Sequence, residues 1–182
     1  MEHSLEQTQS SQESHETLTR LELLQQFKQA EAPKIEEPII QLVVISLDGE
    51  LYGIRILAVR EILKIPHITR LPCAPDYILG VISVRGEVHV VVDLKRFLRL
   101  GASHMAEQSR IILVESGDLA AGLLIDTMVD IIHVPETSLL PLTDGSFSAI
   151  QQYMEGKLRW NDQLITLLQL ETIIPNIVVD QA

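Results

Sequence analysis

The 182-residue chain holds one cysteine, Cys73, so neither an internal disulfide nor a cysteine-based zinc site can form within one chain. That count fits a reducing compartment. Aromatic residues make up only 4%, which leaves no stacking platform for single-stranded nucleic acid. Basic residues are also scarce. The 14 Lys and Arg stand against 25 Asp and Glu, a net charge of −11, and this argues against a phosphate backbone or an anionic membrane surface as partner. No apolar run approaches the ~18 residues of a membrane span. The N-terminus is acidic and glutamine-rich, unlike a secretion signal. A soluble cytoplasmic protein is expected.

Catalytic signatures are missing too. There is no phosphate-cradling glycine loop, no GxSxG elbow and no dinucleotide fingerprint. The six histidines (His3, His15, His67, His89, His104 and His133) show no HxH or HxxxH spacing. His89 reads as an outward-facing strand residue, and Asp93, between a strand and a helix, as an N-cap. Ser83, Ser116 and Cys73 have no identifiable neighbouring base. No enzyme, no metal site and no cofactor is expected.

What the chain does have is an apolar share of 46%, enough for a packed core, and an internal duplication. Residues 50–66 (ELYGIRILAVREILKIP) lie over 119–135 (LAAGLLIDTMVDIIHVP), within the stretch 118–135. Gly53 falls on Gly122, Ile56 on Ile125, Glu61 on Asp130 and Pro66 on Pro135, at a constant offset of 69. Residues 80–98 (GVISVRGEVHVVVDLKRFL) lie over 156–174 (GKLRWNDQLITLLQLETII) at an offset of 76, pairing Val88 with Leu164 and Leu98 with Ile174. Two similar lobes are expected, and each serves as a control for the other. A residue present in both belongs to the fold, whereas a residue in one alone is a candidate for function.

Residues 1–40 read as an acidic tail with eight acids and three bases. The first 17 residues are too polar to bury a core and are expected to be disordered. Leu18, Leu21, Leu24 and Phe27 recur every third residue and predict a short amphipathic helix over about 16–30. That apolar face is expected to bind or shield an apolar surface. From Gln41 the texture becomes short Val- and Ile-rich runs between turn residues, which reads as strands. Asp48-Gly49, Arg85-Gly86 and Asn161-Asp162 mark hairpin turns. A helical turn is expected at Ala74–Tyr77, a short helix over Asp93–Leu100, and a final helical turn over Leu170–Ile174 stopped by Pro175. Five strands and little helix per lobe suggest small sandwiches or barrels. Lobe one spans about 41–101 and lobe two about 108–177, and an apolar seam between them is expected because each lobe alone is small.

Gly53 and Gly122 match inside strands and mark a close backbone approach or a bulge. Glu61 and Asp130 are both acidic, so a structural role and a partner-binding role stay open for Glu61. Arg85 differs. It sits at a hairpin tip where lobe two has Asn161. A planar cation there is explained by something outside the lobe, such as a carboxylate gripped in bidentate fashion.

These residues carry a resemblance. From about Gln41 to Pro175 the chain resembles the CheW-like domain family, the coupling proteins of bacterial chemotaxis. The matching stretches are YGI (Tyr52–Ile54), VREI (Val59–Ile62), ITRLPCAPDYILGVISVRG (Ile68–Gly86), VVDL (Val91–Leu94) and AGLLIDTMVDIIHV (Ala121–Val134). The resemblance implies an all-β fold of two five-stranded, SH3-like barrels packed on each other. It implies a non-enzymatic adaptor with two kinds of partner: the regulatory domain of a CheA-type histidine kinase and the cytoplasmic tip of a methyl-accepting chemoreceptor. Recruitment to receptor arrays at the inner face of the membrane, and a ring-forming assembly, go with it. So do two other placements: a type IV pilus twitching or phototaxis pathway, or a kinase-binding scaffold that does not contact receptors. Arg85 matches the arginine of the family's NLRG motif, which reads SVRG here, with Ser83 and Val84 in place of asparagine and leucine and Gly86 retained. Glu61 matches the family's acidic residue on the receptor-facing side, flanked by Val59 and Ile65.

Overall fold

The computed structural model describes residues 37–142 and 150–179. The tail helix expected over about 16–30, and Gly145, lie outside the described residues. Among these residues ten strands form: β1 (Ile39–Leu47), β2 (Glu50–Arg55), β3 (Val59–Lys64), β4 (Ile78–Val84), β5 (Glu87–Asp93), β6 (Arg110–Ser116), β7 (Leu119–Ile125), β8 (Thr127–Pro135), β9 (Met154–Trp160) and β10 (Gln163–Leu168). Among the described residues two α-helices accompany them, α1 (Leu94–Phe97) and α2 (Leu170–Val179).

The strands make two five-stranded sheets, one ordered β8-β1-β2-β10-β9 and the other β3-β6-β7-β5-β4. Moving every strand number by five turns one order into the other. The duplication is therefore real in space. Gly53 lies opposite Val44 and Leu167, and Gly122 opposite Leu113 and Val91. These partners are themselves related by the offsets 69 and 76. The fold is all-β, two SH3-like barrels, as expected. The boundaries about 41–101 and about 108–177, however, do not coincide with the sheets. The first hairpin, β1–β2, joins β8, β9 and β10, while β6–β7 joins β3, β4 and β5. Each half of the chain gives a hairpin to the other's barrel. The parallel pairings β2–β10 and β5–β7 make this exchange, each over three residue pairs.

The exchange leaves both faces of the hairpin strands buried. Along β1, Leu42 and Val44 enter one barrel's interior with Ile132, Leu158, Ile165 and Leu167. Val43, Ile45 and Leu47 face the other way, into the seam with Val92, Ile112, Val114, Leu123 and Ile125 of the second sheet. The second barrel's interior is smaller, built on Ile82, Val91, Ile111 and Leu124. A lysine ties the sheets as well. Lys95 of α1 is buried with Nζ 3.2 Å from Asp126 Oδ2 and 3.6 Å from Asp48 Oδ1. Burial lowers its proton affinity, but Asp126 and then Asp48 outweigh that and leave it raised.

The shared glycines mark a close approach. A Cβ on Gly53 would sit 3.2 Å from Leu167 Cδ1, and one on Gly122 would sit 2.9 Å from Ile111 Cγ2. Asp93 is the N-cap it was read to be. Its carboxylate accepts from Arg96 N at 3.2 Å and also from Ser103 N at 3.0 Å and Ser103 Oγ at 2.7 Å. Two local expectations fail. Ala74–Tyr77 forms no helical turn; a turn closed by Ile78 N donating to Pro75 O stands there instead. Pro175 does not stop α2, which continues to Val179. An internal proline costs about 3 kcal/mol, but Ile173, Ile174 and Ile177 are fully buried in the seam, each contributing about 1.5–3 kcal/mol. Burial wins.

Candidate functional site

The β4–β5 hairpin turns on Arg85 and Gly86 with φ of 51° and 88°. Positive φ at both turn residues suits strand twist, and Gly86 takes it freely. Arginine does not: the left-handed region costs a side-chain-bearing residue roughly 1–2 kcal/mol. The matched turn uses Asn161 and Asp162 at φ 47° and 61°, residues that tolerate this conformation. Arg85 is thus held against local preference, and its side chain is 79% exposed.

The guanidinium meets Glu61. Arg85 Nη2 lies 3.2 Å from Glu61 Oε1, whose side chain is 29% exposed. The two residues read separately as partner-facing come together, because β3 and β4 are the two edges of one sheet. As that sheet curls into a barrel, the edges approach. The bridge between Thr69 and Val81 closes the seam below them.

The other sequence-read residues divide. Val84 and Ile65 are half-buried against the second barrel's interior. Val59 packs instead on the seam between barrels. Ser83 is exposed and pairs with Val88, itself exposed. Gly86 is exposed, with no atom within 4 Å of where a Cβ would stand. Asp130, the match of Glu61, accepts a hydrogen bond from the next residue's amide, Ile131 N, at 2.7 Å. Shared acidity therefore conceals two different jobs.

Two residues, Arg60 and Glu87, carry no signal in the sequence by themselves, and a third, His89, differs from its expectation. β3 is bulged: Val59 pairs with Val114 and Glu61 with Leu113, leaving Arg60 as the extra residue. Bulges re-aim side chains, and Arg60 Nη1 reaches Glu87 Oε2 at 2.8 Å. That hydrogen bond and its charge hold Glu87 below the usual carboxylate range and raise Arg60. His89, expected to face outward, is buried. Its Nε2 stands 3.4 Å from Glu87 Oε2 without hydrogen-bond geometry. Strand alternation explains this, since Glu87, His89 and Val91 point the same way, and Val91 fills the barrel interior. The duplication could have flagged the pair: Arg60 matches Val129, and Glu87 matches Gln163.

Among the described residues, no cluster of three or more His, Cys, Asp or Glu is placed to hold a metal ion, and no helix is long and apolar enough to cross a membrane. The arrangement offers a cation at an exposed tip, an acid beside it, and an alternating charge pair next along the hairpin. Such groups are able to pair with charges on another protein's surface.

Known proteins share this arrangement of strands. The CheW-like domain family matches residues 41–178. A chemotaxis protein CheW from Helicobacter pylori is 30% identical over 156 residues, which is 84% of this chain and 94% of that protein. Protein PilI from Pseudomonas aeruginosa is 32% identical over 98 residues, 54% of this chain and 55% of that one. The crystal structure of the scaffolding protein TtCheW from Thermoanaerobacter tengcongensis superposes with a TM-score of 0.69 at 31% identity, covering 79% of this chain and 92% of the other.

Proposed function

The chain belongs to the CheW-like domain family, and from that premise we propose that it is a non-enzymatic adaptor coupling membrane chemoreceptors to a CheA-type histidine kinase. The observation that carries the site is Arg85. It occupies a left-handed turn position where the matched turn has asparagine, and it is largely exposed. A partner carboxylate can take one edge of its guanidinium while Glu61 holds the other. Glu61, Ser83, Val84 and Gly86 complete that surface, with Val59 and Ile65 supporting it from two different cores. The receptor's cytoplasmic tip docks here as a helix. The kinase's regulatory domain uses the barrel ends. Contacts of that head-to-tail kind close into rings, so modest single interfaces gain strength through multivalency. The adaptor works at the inner face of the membrane, where the receptors are.

The larger coverage of the Helicobacter pylori chemotaxis relative, compared with PilI, favours the chemotaxis pathway over a parallel one built on the same adaptor. The test is co-sedimentation with receptor-bearing membranes. The kinase is expected to sediment with them only when this chain is added, and Arg85→Glu is expected to abolish that. A chain that binds the kinase yet stays off receptor-bearing membranes would instead be a scaffold without receptor contact. A kinase that sediments equally well without the chain overturns the coupling role.

A further inference from the structure

The Arg85–Glu61 pair has a neighbour of opposite polarity. β3 presents Arg60 and then Glu61, and the facing hairpin presents Arg85 and then Glu87. The two pairs, at 3.2 Å and 2.8 Å, bridge the same barrel seam side by side. The fold does not need this. β8 carries the same bulge, between Asp130 and Met128, with Val129 as its extra residue. The matched hairpin positions hold Asn161 and Gln163. Nor does stability explain the second pair, because its partners are 42% and 56% exposed and exposed ion pairs contribute little. What the pair does have is order. Arg60 grips Glu87 from one side and the buried His89 stands beneath it, so this carboxylate is already positioned. A pre-positioned group loses less freedom on binding.

We propose that Arg60 and Glu87 extend the Arg85 surface into a charge-ordered strip that selects the partner. The strip fits a helix with an acidic and a basic side chain one turn apart. Residue 85 lies in the hairpin turn and residue 87 opens β5; two apart along the chain, they are separated by at most about 7 Å, on the order of the ~5.4 Å rise of one helical turn. The partner's acid faces Arg85 and its base faces Glu87. A helix with the reverse order puts like charges together and is rejected. This deepens the adaptor reading and rests on it.

The experiment is a charge swap in the full chain, read by binding to membranes bearing a chemoreceptor from the same cells and, separately, by melting temperature. Arg60→Glu and Glu87→Arg are each expected to weaken binding by about tenfold. The double variant, Arg60→Glu with Glu87→Arg, restores the internal pair. It is expected to recover the wild-type melting temperature but not the binding. Wild-type binding by the double variant would show that the pair serves only the hairpin, and unchanged binding in both single variants would show that it serves no partner. Either result overturns the inference. Arg85→Glu, measured alongside, tells the two readings apart. If it loses binding while the swap restores it, the adaptor site stands and only the selective strip falls. If it binds normally, the site itself falls.

Discussion

Replacing Arg85 with asparagine, the residue at the matched turn, separates folding from coupling. The Arg85–Glu61 contact is an ion pair with one partner largely in solvent, worth at most about 1 kcal/mol. Its loss is offset by relief of the left-handed backbone at φ 51°, where asparagine gains up to ~1 kcal/mol over arginine. The two terms oppose each other and are similar in size. At about 4 °C per kcal/mol for a domain of this size, the melting temperature should move by less than ~4 °C in either direction. Binding should respond differently. A charge-assisted contact to a partner carboxylate is worth about 1.5–3 kcal/mol, or roughly 10- to 150-fold in affinity. Differential scanning calorimetry and co-sedimentation with receptor-bearing membranes, on the same preparation, measure both. A melting temperature lowered by more than ~8 °C would make Arg85 a structural residue. Unchanged binding would remove it from the interface. Either result refutes the reasoning.

Asp93→Ala removes the N-cap of α1 and leaves Ser103 N without its acceptor; about 2–4 kcal/mol should be lost, seen as a lower urea midpoint. Gly122→Ala brings a methyl to 2.9 Å from Ile111 in the second barrel and should cost about 1–3 kcal/mol through overpacking. Gly53→Ala, with 3.2 Å of room, should cost less, and the reverse ranking would contradict the geometry. The Glu87 carboxyl is held low by Arg60. A carboxyl depressed in the folded state contributes its stability above the unfolded value of ~4.3 and loses it as pH falls through the folded value. The stability difference between the wild type and Arg60→Gln should therefore be constant near neutral pH and shrink below about pH 4, as thermal melts across that range would show.

Much of the fold was legible because β-structure writes its local geometry into sequence. The turns Asp48-Gly49, Arg85-Gly86 and Asn161-Asp162 and the strands beside them follow from turn chemistry and Val- and Ile-rich runs. Asp93 was legible as a cap for the same reason: it acts on a backbone amide three residues away. His89 was misread because its neighbours give no sign of which face enters the barrel. Pro175 was misread because a local helix-breaking rule was set against three buried isoleucines. Arg60 was overlooked because a bulge shows only in the pairing with another strand.

The sequence alone determined that the protein is built twice. Gly53 and Gly122, and Glu61 and Asp130, stand at one offset, and the structure sets them at equivalent places in two equivalent sheets. It also singled out Arg85, by contrast with Asn161. Only the tertiary structure decided which hairpin joins which barrel. Strand β2 has the same alternation and the same turn whether it pairs within its own half or beside β10, so local sequence cannot distinguish the two. The choice rests on burying both faces of β1 and β2 at once, one inside a barrel and one in the seam. The meeting of Arg85 with Glu61, and of Arg60 with Glu87, belongs to the same level. These pairs exist because a curling sheet brings its edge strand β3 back against the β4–β5 hairpin, a closure that no local sequence pattern records.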